Sequence, residues 1–248
     1  MRPDIDLTFL QHSTNDDLRI LCDILTKDKD GEYRFSEQLT NTDGYISCYP
    51  NNMKGMWQDV AAELQRFGGN TFLNLYRRGR GPSYENIVHD VCGKMDVKDI
   101  GEHDTAEEME QKLLCRMTEK MVDKLSDAEI KQIMHDLNIE GRSYTKQGLM
   151  AALLVARTVN KRLFCYIIQY ITRLVTDLLI GRGILMAGWG LLSRGTQLLF
   201  GPVGWVICGA WTAWDIAGPA YRVTVPAVLQ VAYMRMKFNA KLIGHESK

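Results

Sequence analysis

Apolar residues recur every three or four positions through most of the first 160 residues, which is the spacing of amphipathic helices. Predicted caps precede several of these runs: one among Ser13, Thr14, Asn15 and Asp16, then Ser83, and the capping boxes Thr105–Glu108 and Ser126–Glu129. The clearest run follows Pro50 and ends at Gly68-Gly69 with its apolar side chains on one face: Met53, Met56, Trp57, Val60, Ala61, Leu64 and Phe67. The alternating stretch at 222–228 contains Pro226, which argues against a central strand. The pattern therefore predicts an all-α, multi-helix bundle.

The pattern divides the chain into three parts: a small helical module at 1–45, a helical domain at 46–160, and a glycine-rich apolar region at 161–248. The last part contains 20 uncharged residues between Arg194 and Asp215, enough for one helix to cross a bilayer. Gly201-Pro202 would break such a helix. A helical hairpin, buried in protein or inserted in lipid, is therefore the alternative to a spanning helix.

The candidate helix-packing or membrane hairpin is rich in glycine, proline and alanine: Gly201, Pro202, Gly204, Gly209, Ala213, Ala217, Gly218 and Pro219. Gly209, Ala213 and Ala217 are four residues apart, so on a helix they form a stripe that lets a second helix approach closely. Asp215 and Arg222 form a candidate polar pair in this apolar sequence. We interpret them as a buried structural ion pair rather than as catalytic residues, because buried charges are usually paired.

Charge is distributed unevenly, although the net charge is zero. Residues 161–248 hold ten Lys or Arg and three acidic residues, which gives +7 there and −7 over residues 1–160. An apolar and basic half suits an anionic membrane surface. It equally suits docking onto the acidic half of the same molecule. With no secretory signal and no CxxC pair among six cysteines, we expect a cytoplasmic protein, with peripheral or hairpin contact with the inner membrane as an option.

Three motifs with binding potential are better explained as ordinary structure, and no catalytic, cofactor or metal signature is present. Asp28, Asp30, Gly31 and Glu37 match an EF-hand loop, but Thr26 stands where the first ligand must be, so we expect a solvated turn. The RRGRG loop at 77–81 lacks the strand and Lys-Ser/Thr of a P-loop. The helix–link–helix around 126–156 has the outline of SAP- and LEM-like modules. It carries few basic residues, so nucleic acid is not the expected partner.

Three blocks of sequence, at 26–40, 61–81 and 201–235, look like the uncharacterised bacterial YaaW family, and the resemblance covers almost the whole chain. That family is grouped with the ubiquinol-cytochrome c chaperones, which assist the assembly of a membrane complex. The resemblance implies an all-helical domain, a bacterial source and a helper role beside a membrane, and it supplies no catalytic residues.

Together, these observations predict a non-enzymatic, chaperone-like helper or interaction protein that associates with the inner membrane through its C-terminal half. The alternative is a soluble helical protein whose hairpin is buried and which binds a protein or nucleic-acid partner. The identity of the partner and the oligomeric state stay open.

Overall fold

The computed structural model describes residues 3–28, 31–69, 81–123, 126–136, 144–159, 164 and 221–245. Within these ranges there are eight α-helices: α1 (Asn15–Thr26), α2 (Asp43–Cys48), α3 (Trp57–Gly69), α4 (Tyr84–Lys94), α5 (Ala106–Val122), α6 (Asp127–Asp136), α7 (Lys146–Val159) and α8 (Tyr221–His245). Three short 3-10 helices accompany them: Ile5–His12, Leu39–Asn41 and Met53–Met56. Lys27 and Tyr33 form an isolated antiparallel bridge. The all-α prediction is confirmed.

Helix starts follow the predicted caps. The Thr14 hydroxyl accepts a hydrogen bond from the backbone of the first turn of α1, and Ser83 does the same for α4. Ahead of α5, the Glu108 amide donates to the Thr105 hydroxyl and the Thr105 amide donates to the Glu108 carboxylate. This exchange is the reciprocal pattern of a capping box. Local side-chain chemistry therefore sets where these helices begin.

Helix α3 ends at Gly69, as predicted, but it begins at Trp57 and not directly after Pro50. Asn15 explains the difference. Its side-chain amide donates to the Pro50 carbonyl oxygen, and its side-chain oxygen accepts from the Met53 amide. The Asn15 side chain thus satisfies the Pro50 carbonyl and the Met53 amide. Residues 50–53 therefore form a turn held against α1, and the α-helix starts after it.

Helices α3 and α4 approach closely at Gly68. A Cβ built at Gly68 would lie 2.5 Å from Cδ1 of Ile87 on α4. Only a glycine leaves room for that side chain without a shift of the Ile87 side chain or of one helix. Gly68 therefore has a packing role in addition to its place near the end of α3.

Helix α8 is the central element of the bundle. Between 223 and 234 nearly every side chain is buried, including Val225, Val228 and Val231. A helix that is apolar around its circumference belongs in the interior. Helix α8 packs against α1, α3, α4 and α5. The alternating stretch at 222–228 is thus helical, with Pro226 inside the helix, because burial outweighs the local preference of these residues for a strand.

The hydrophobic core is continuous from one end of the described chain to the other. Leu21 of α1, Leu64 of α3, Leu113 of α5 and Val228 of α8 belong to the same buried cluster. The N-terminal module, the middle helices and the last helix therefore contribute to one core, and α8 supplies its centre.

Candidate functional site

The most heavily charged part of the described interior lies where α8 meets α4 and α5. Glu110 of α5 is 2% exposed. Its Oε2 accepts a hydrogen bond from Arg235 Nε of α8 at 2.7 Å, and its Oε1 accepts one from the Tyr84 hydroxyl of α4 at 2.6 Å. One carboxylate thus joins three helices, and both of its oxygens are occupied. We call Asp4, Gln65, Tyr84, Glu110 and Arg235 the Arg235 network.

Arg235 also reaches the N-terminal 3-10 helix. Its Nη2 donates to the Asp6 carbonyl oxygen at 2.7 Å and to Glu110 Oε1 at 3.3 Å. Its guanidinium carbon lies 4.4 Å from the centre of the Phe9 ring, close enough for a cation–π contact. A planar guanidinium can satisfy several acceptors and an aromatic face at once, which lysine cannot do in the same geometry.

Asp4 closes the network at the N-terminal end. Its Oδ2 accepts from the Tyr84 amide at 2.6 Å and from Gln65 Nε2 at 3.0 Å. Its Oδ1 caps the 3-10 helix by accepting from the Asp6 amide at 3.2 Å. A single carboxylate therefore ties the start of the described chain to both α3 and α4.

The electrostatics of the network follow from burial. Burial raises the pKa of Glu110, and the charge of Arg235 together with the Arg235 and Tyr84 hydrogen bonds lowers it in opposition. Burial would lower the pKa of Arg235, but the charge and hydrogen bonds of Glu110 outweigh it and raise that pKa. Burial and the Glu110 charge raise the pKa of Tyr84, so its hydroxyl stays a neutral donor. The arrangement is a compensated buried ion pair.

A second set of contacts joins the outer part of α8 to α1. Lys237 Nζ donates to Asp17 Oδ2 at 2.7 Å, and the Gln230 side-chain amide donates to the Asp17 carbonyl oxygen at 3.2 Å. The Phe238 ring stacks on His12 with centroids 5.6 Å apart. We call residues 235–239 the basic end of α8. Its cations and its aromatic ring are held by the first 17 residues and by α5.

These pairs bear on the charge asymmetry of the sequence. Arg235 and Lys237 belong to the basic half, and their partners Glu110 and Asp17 belong to the acidic half. For these two cations, docking of one half of the molecule onto the other is what the structure shows. Arg222, by contrast, is exposed in the first turn of α8.

Two of the described thiols, Cys22 and Cys92, are poorly placed for nucleophilic chemistry. Cys22 and Cys92 are buried, and burial raises the pKa of both thiols, that of Cys92 to about 12. A neutral buried thiol is neither a good nucleophile nor a good metal ligand. In the ranges that the structure describes, no group of three His, Cys, Asp or Glu is arranged to hold a metal ion.

The EF-hand-like stretch is a turn in the part that is described. Asp28 Oδ1 accepts from the Glu32 amide at 3.0 Å, and Gly31 has a φ of +85°. The Glu37 carboxylate accepts from the amide and hydroxyl of Thr40. The two carboxylates are thus used in separate local caps. Asp30 lies outside the described residues, as does the RRGRG loop apart from Gly81.

The hairpin predicted from the sequence lies outside the described residues: Gly201, Pro202, Gly204, Gly209, Ala213, Ala217, Gly218 and Pro219. Asp215 does so too. Arg222 is exposed, and the expected Asp215–Arg222 pair stays a prediction because Asp215 is not among the described residues. Among the helices in the described ranges, none combines the length and the apolar character needed to cross a bilayer.

Sequence reasoning missed the Arg235 network, although two signals point to it. Glu110 shares the buried face of α5 with Leu113 and Met117, where an acid needs a partner. Arg235 follows a long apolar run and is the first cation after Arg222. What the sequence does not supply is the pairing itself, because the two partners are 125 residues apart.

The chain is similar over most of its length to bacterial proteins. It is 36% identical over 235 residues to a UPF0174 protein of Helicobacter pylori strain J99, which covers 94% of this chain and 92% of that protein. It is 32% identical to the UPF0174 protein YaaW of Escherichia coli K12, with 96% of both chains covered. Residues 1–35 match a family model described as a domain of unknown function, DUF3944. No solved structure matches the chain.

Proposed function

The chain belongs to the UPF0174 family, and we propose that it is a non-enzymatic, chaperone-like helper that contacts the bacterial inner membrane through the uncharged segment at 195–214. The similarity to YaaW supports the resemblance drawn from the sequence. The membrane contact and the helper role are our inference.

The observation that supports this proposal most is the seating of α8. Six residues separate the uncharged segment from the start of α8, and α8 is fixed in the core by its buried apolar side chains and by the Arg235 network. A helper that works at a membrane needs a stable body and an apolar element connected to it. The body is the bundle formed by the described helices, and the apolar element is linked to it along the chain at α8.

The positive charge of residues 161–248 supports the same proposal once the cations that are paired within the protein are subtracted. Residues 161–248 carry +7, but Arg235 and Lys237 are paired with Glu110 and Asp17. Removing these two cations leaves five net positive charges in that part of the chain, and Arg222 is exposed among them. Each Lys or Arg near an anionic bilayer surface contributes about 1 kcal/mol of attraction. The remaining charge is therefore enough to favour anionic over neutral lipid.

The test is flotation with vesicles of phosphatidylcholine alone or with phosphatidylglycerol added. We expect binding to rise with phosphatidylglycerol and to weaken in high salt without vanishing, because apolar insertion is not screened. Ile207→Asp places a charge in the uncharged segment and should weaken binding strongly. Ile46→Asp is the matched control: Ile46 is 72% exposed on α2, so the same substitution there should leave binding unchanged.

Stability measurements separate this proposal from the soluble alternative. For a lipid-contacting segment, Ile207→Asp should leave the melting temperature in solution close to that of the wild type. If the wild type binds neither kind of vesicle and Ile207→Asp lowers the melting temperature sharply, the segment is buried in protein and the membrane role is refuted. The helper role is tested by affinity capture from detergent-solubilised membranes, which should recover membrane-complex subunits with the wild type and not with Ile207→Asp.

A further inference from the structure

The basic end of α8 has the composition of a membrane-surface element, yet its cations are occupied within the protein. Arg235, Lys237 and Phe238 combine positive charge with an aromatic ring, a combination that suits an anionic bilayer surface. In the structure Arg235 forms an ion pair with Glu110, Lys237 forms one with Asp17, and the Phe238 ring stacks on the His12 ring.

The two ion pairs differ in how accessible they are. The side chains of Arg235 and Glu110 are 11% and 3% exposed, whereas the side chains of Lys237 and Asp17 are 31% and 8% exposed. Lys237 thus lies at the rim, with solvent on one side and the Asp17 carboxylate on the other. Lys237 can exchange this carboxylate for an external anion because the lysine is already partly hydrated, and the Thr14 hydroxyl still donates to the buried Asp17 carboxylate when the lysine leaves.

Asp17 is well placed to act as the internal competitor. It lies in the first turn of α1, where the helix dipole favours a negative side chain. Its Oδ2 accepts from both Lys237 and the Thr14 hydroxyl, the latter at 2.5 Å. The His12 ring covers Phe238 from the preceding turn of the chain. His12 and Asp17 thus contact the aromatic ring and one of the two cations of the basic end, Phe238 and Lys237.

We propose that residues 12–17 act as an acidic strap that competes with anionic lipid for the basic end of α8, so that membrane contact is held back until the strap is released. This inference rests on the proposed function, since it concerns the regulation of membrane contact. It differs in assigning part of the lipid affinity to Lys237 and Phe238, outside the uncharged segment.

The test uses two neighbouring aspartates on the same helical turn. Asp17→Asn removes the carboxylate that holds Lys237. Asp16→Asn makes the same change of charge at a residue that is 73% exposed and pairs with Arg19 at 3.5 Å, within α1. We expect Asp17→Asn to bind phosphatidylglycerol vesicles about fivefold more tightly than the wild type, the effect of one additional lysine at an anionic surface. Asp16→Asn should change binding by much less.

Lys237→Gln separates a freed cation from a loosened fold. It breaks the same pair from the other side, so if loosening alone exposes apolar surface, its binding should rise as much as that of Asp17→Asn. We expect no rise for Lys237→Gln, and none for the Asp17→Asn/Lys237→Gln double variant. Near-ultraviolet circular dichroism establishes that each variant keeps its tertiary packing.

The outcomes distinguish the strap from the uncharged segment. Equal binding by Asp16→Asn and Asp17→Asn overturns the strap while the membrane role of the uncharged segment stands. A fivefold gain from Asp17→Asn that persists in the Ile207→Asp background supports the strap, even if that background lacks the lipid affinity of the uncharged segment. The strap is also overturned if Lys237→Gln raises vesicle binding as much as Asp17→Asn does. The same conclusion follows if Asp17→Asn increases binding to neutral vesicles as much as binding to anionic ones.

Discussion

Replacing Arg235 with leucine is the most direct test of the buried network. The substitution leaves the Glu110 carboxyl at 2% exposure without its cation, with the Tyr84 hydroxyl as its remaining donor. It also removes the hydrogen bond to the Asp6 carbonyl oxygen and the contact with the Phe9 ring. Removing one partner of a buried ion pair costs about 3–5 kcal/mol, because the other charge stays buried without compensation. In a chain of this size, such a loss lowers the melting temperature by about 6–20 °C.

Urea unfolding followed by circular dichroism measures the loss, and Arg222→Leu is the matched control. Arg222 lies on the same helix but is exposed, so its replacement should change stability by less than about 0.5 kcal/mol. Replacing both Glu110 and Arg235 with leucine removes both charges. We expect that double variant to be more stable than Arg235→Leu by about 2 kcal/mol, because no buried charge is left unpaired.

The pH dependence identifies the cause of the loss. Burial raises the pKa of Glu110 above its ordinary value of 4.5, and Arg235 lowers it, so Arg235→Leu raises it further. A carboxyl with a raised folded pKa stabilises the folded state at low pH and loses that stabilisation as the pH rises through the folded pKa. The deficit of Arg235→Leu should therefore be smaller at pH 5 than at pH 8. A deficit below 1 kcal/mol, or one that is equal at both pH values, would refute this account of the network.

Three further predictions follow from the described residues. Gly68→Ala should destabilise the protein by about 1–3 kcal/mol through overpacking against α4. Gly93→Ala is the control: a Cβ added there meets open space, so this variant should be more stable than the wild type by up to about 1 kcal/mol. Equal melting temperatures for the two variants would contradict the close approach of α3 and α4. At pH 8, a thiol reagent should label the partly exposed Cys48 before Cys92, whose pKa is raised by burial to about 12; faster labelling of Cys92 would contradict its burial. Calorimetry should detect no micromolar calcium binding at the 28–37 turn, since its carboxylates serve as local caps; a saturable calcium isotherm would show that the turn can rearrange.

Helix positions were predictable because they depend on neighbours in sequence. Thr105 and Glu108 are three residues apart, and their capping box appears as the sequence indicates. The start of α3 was not predictable, because it depends on Asn15, which is 35 residues from the Pro50 carbonyl that it binds. Local rules therefore predict the start of a helix where a neighbouring side chain caps it, and they fail where a distant side chain fixes the start.

The candidate site was harder to predict for the same reason. The sequence drew attention to Asp215 and Arg222, which are close in the chain, whereas the buried cation of α8 in the described structure is Arg235. Its partners include Glu110 and the Asp6 backbone, at separations of 125 and 229 residues. The sequence alone indicates that a buried acid needs a cation as its partner. It does not identify that cation, because several lysines and arginines could pair with the same acid.

The pairing of α1 with α8 also has a consequence during synthesis. Translation proceeds at about 5–20 residues per second, so the roughly 195 residues between the end of α1 and the start of α8 take about 10–40 s to be made. During that interval, the apolar face of α1 that packs on α8 in the folded protein lacks its native partner, because α8 has not yet been synthesised. Pauses in translation between residues 26 and 221 would lengthen this exposure, so we expect codons in that stretch to affect soluble yield without altering the finished fold.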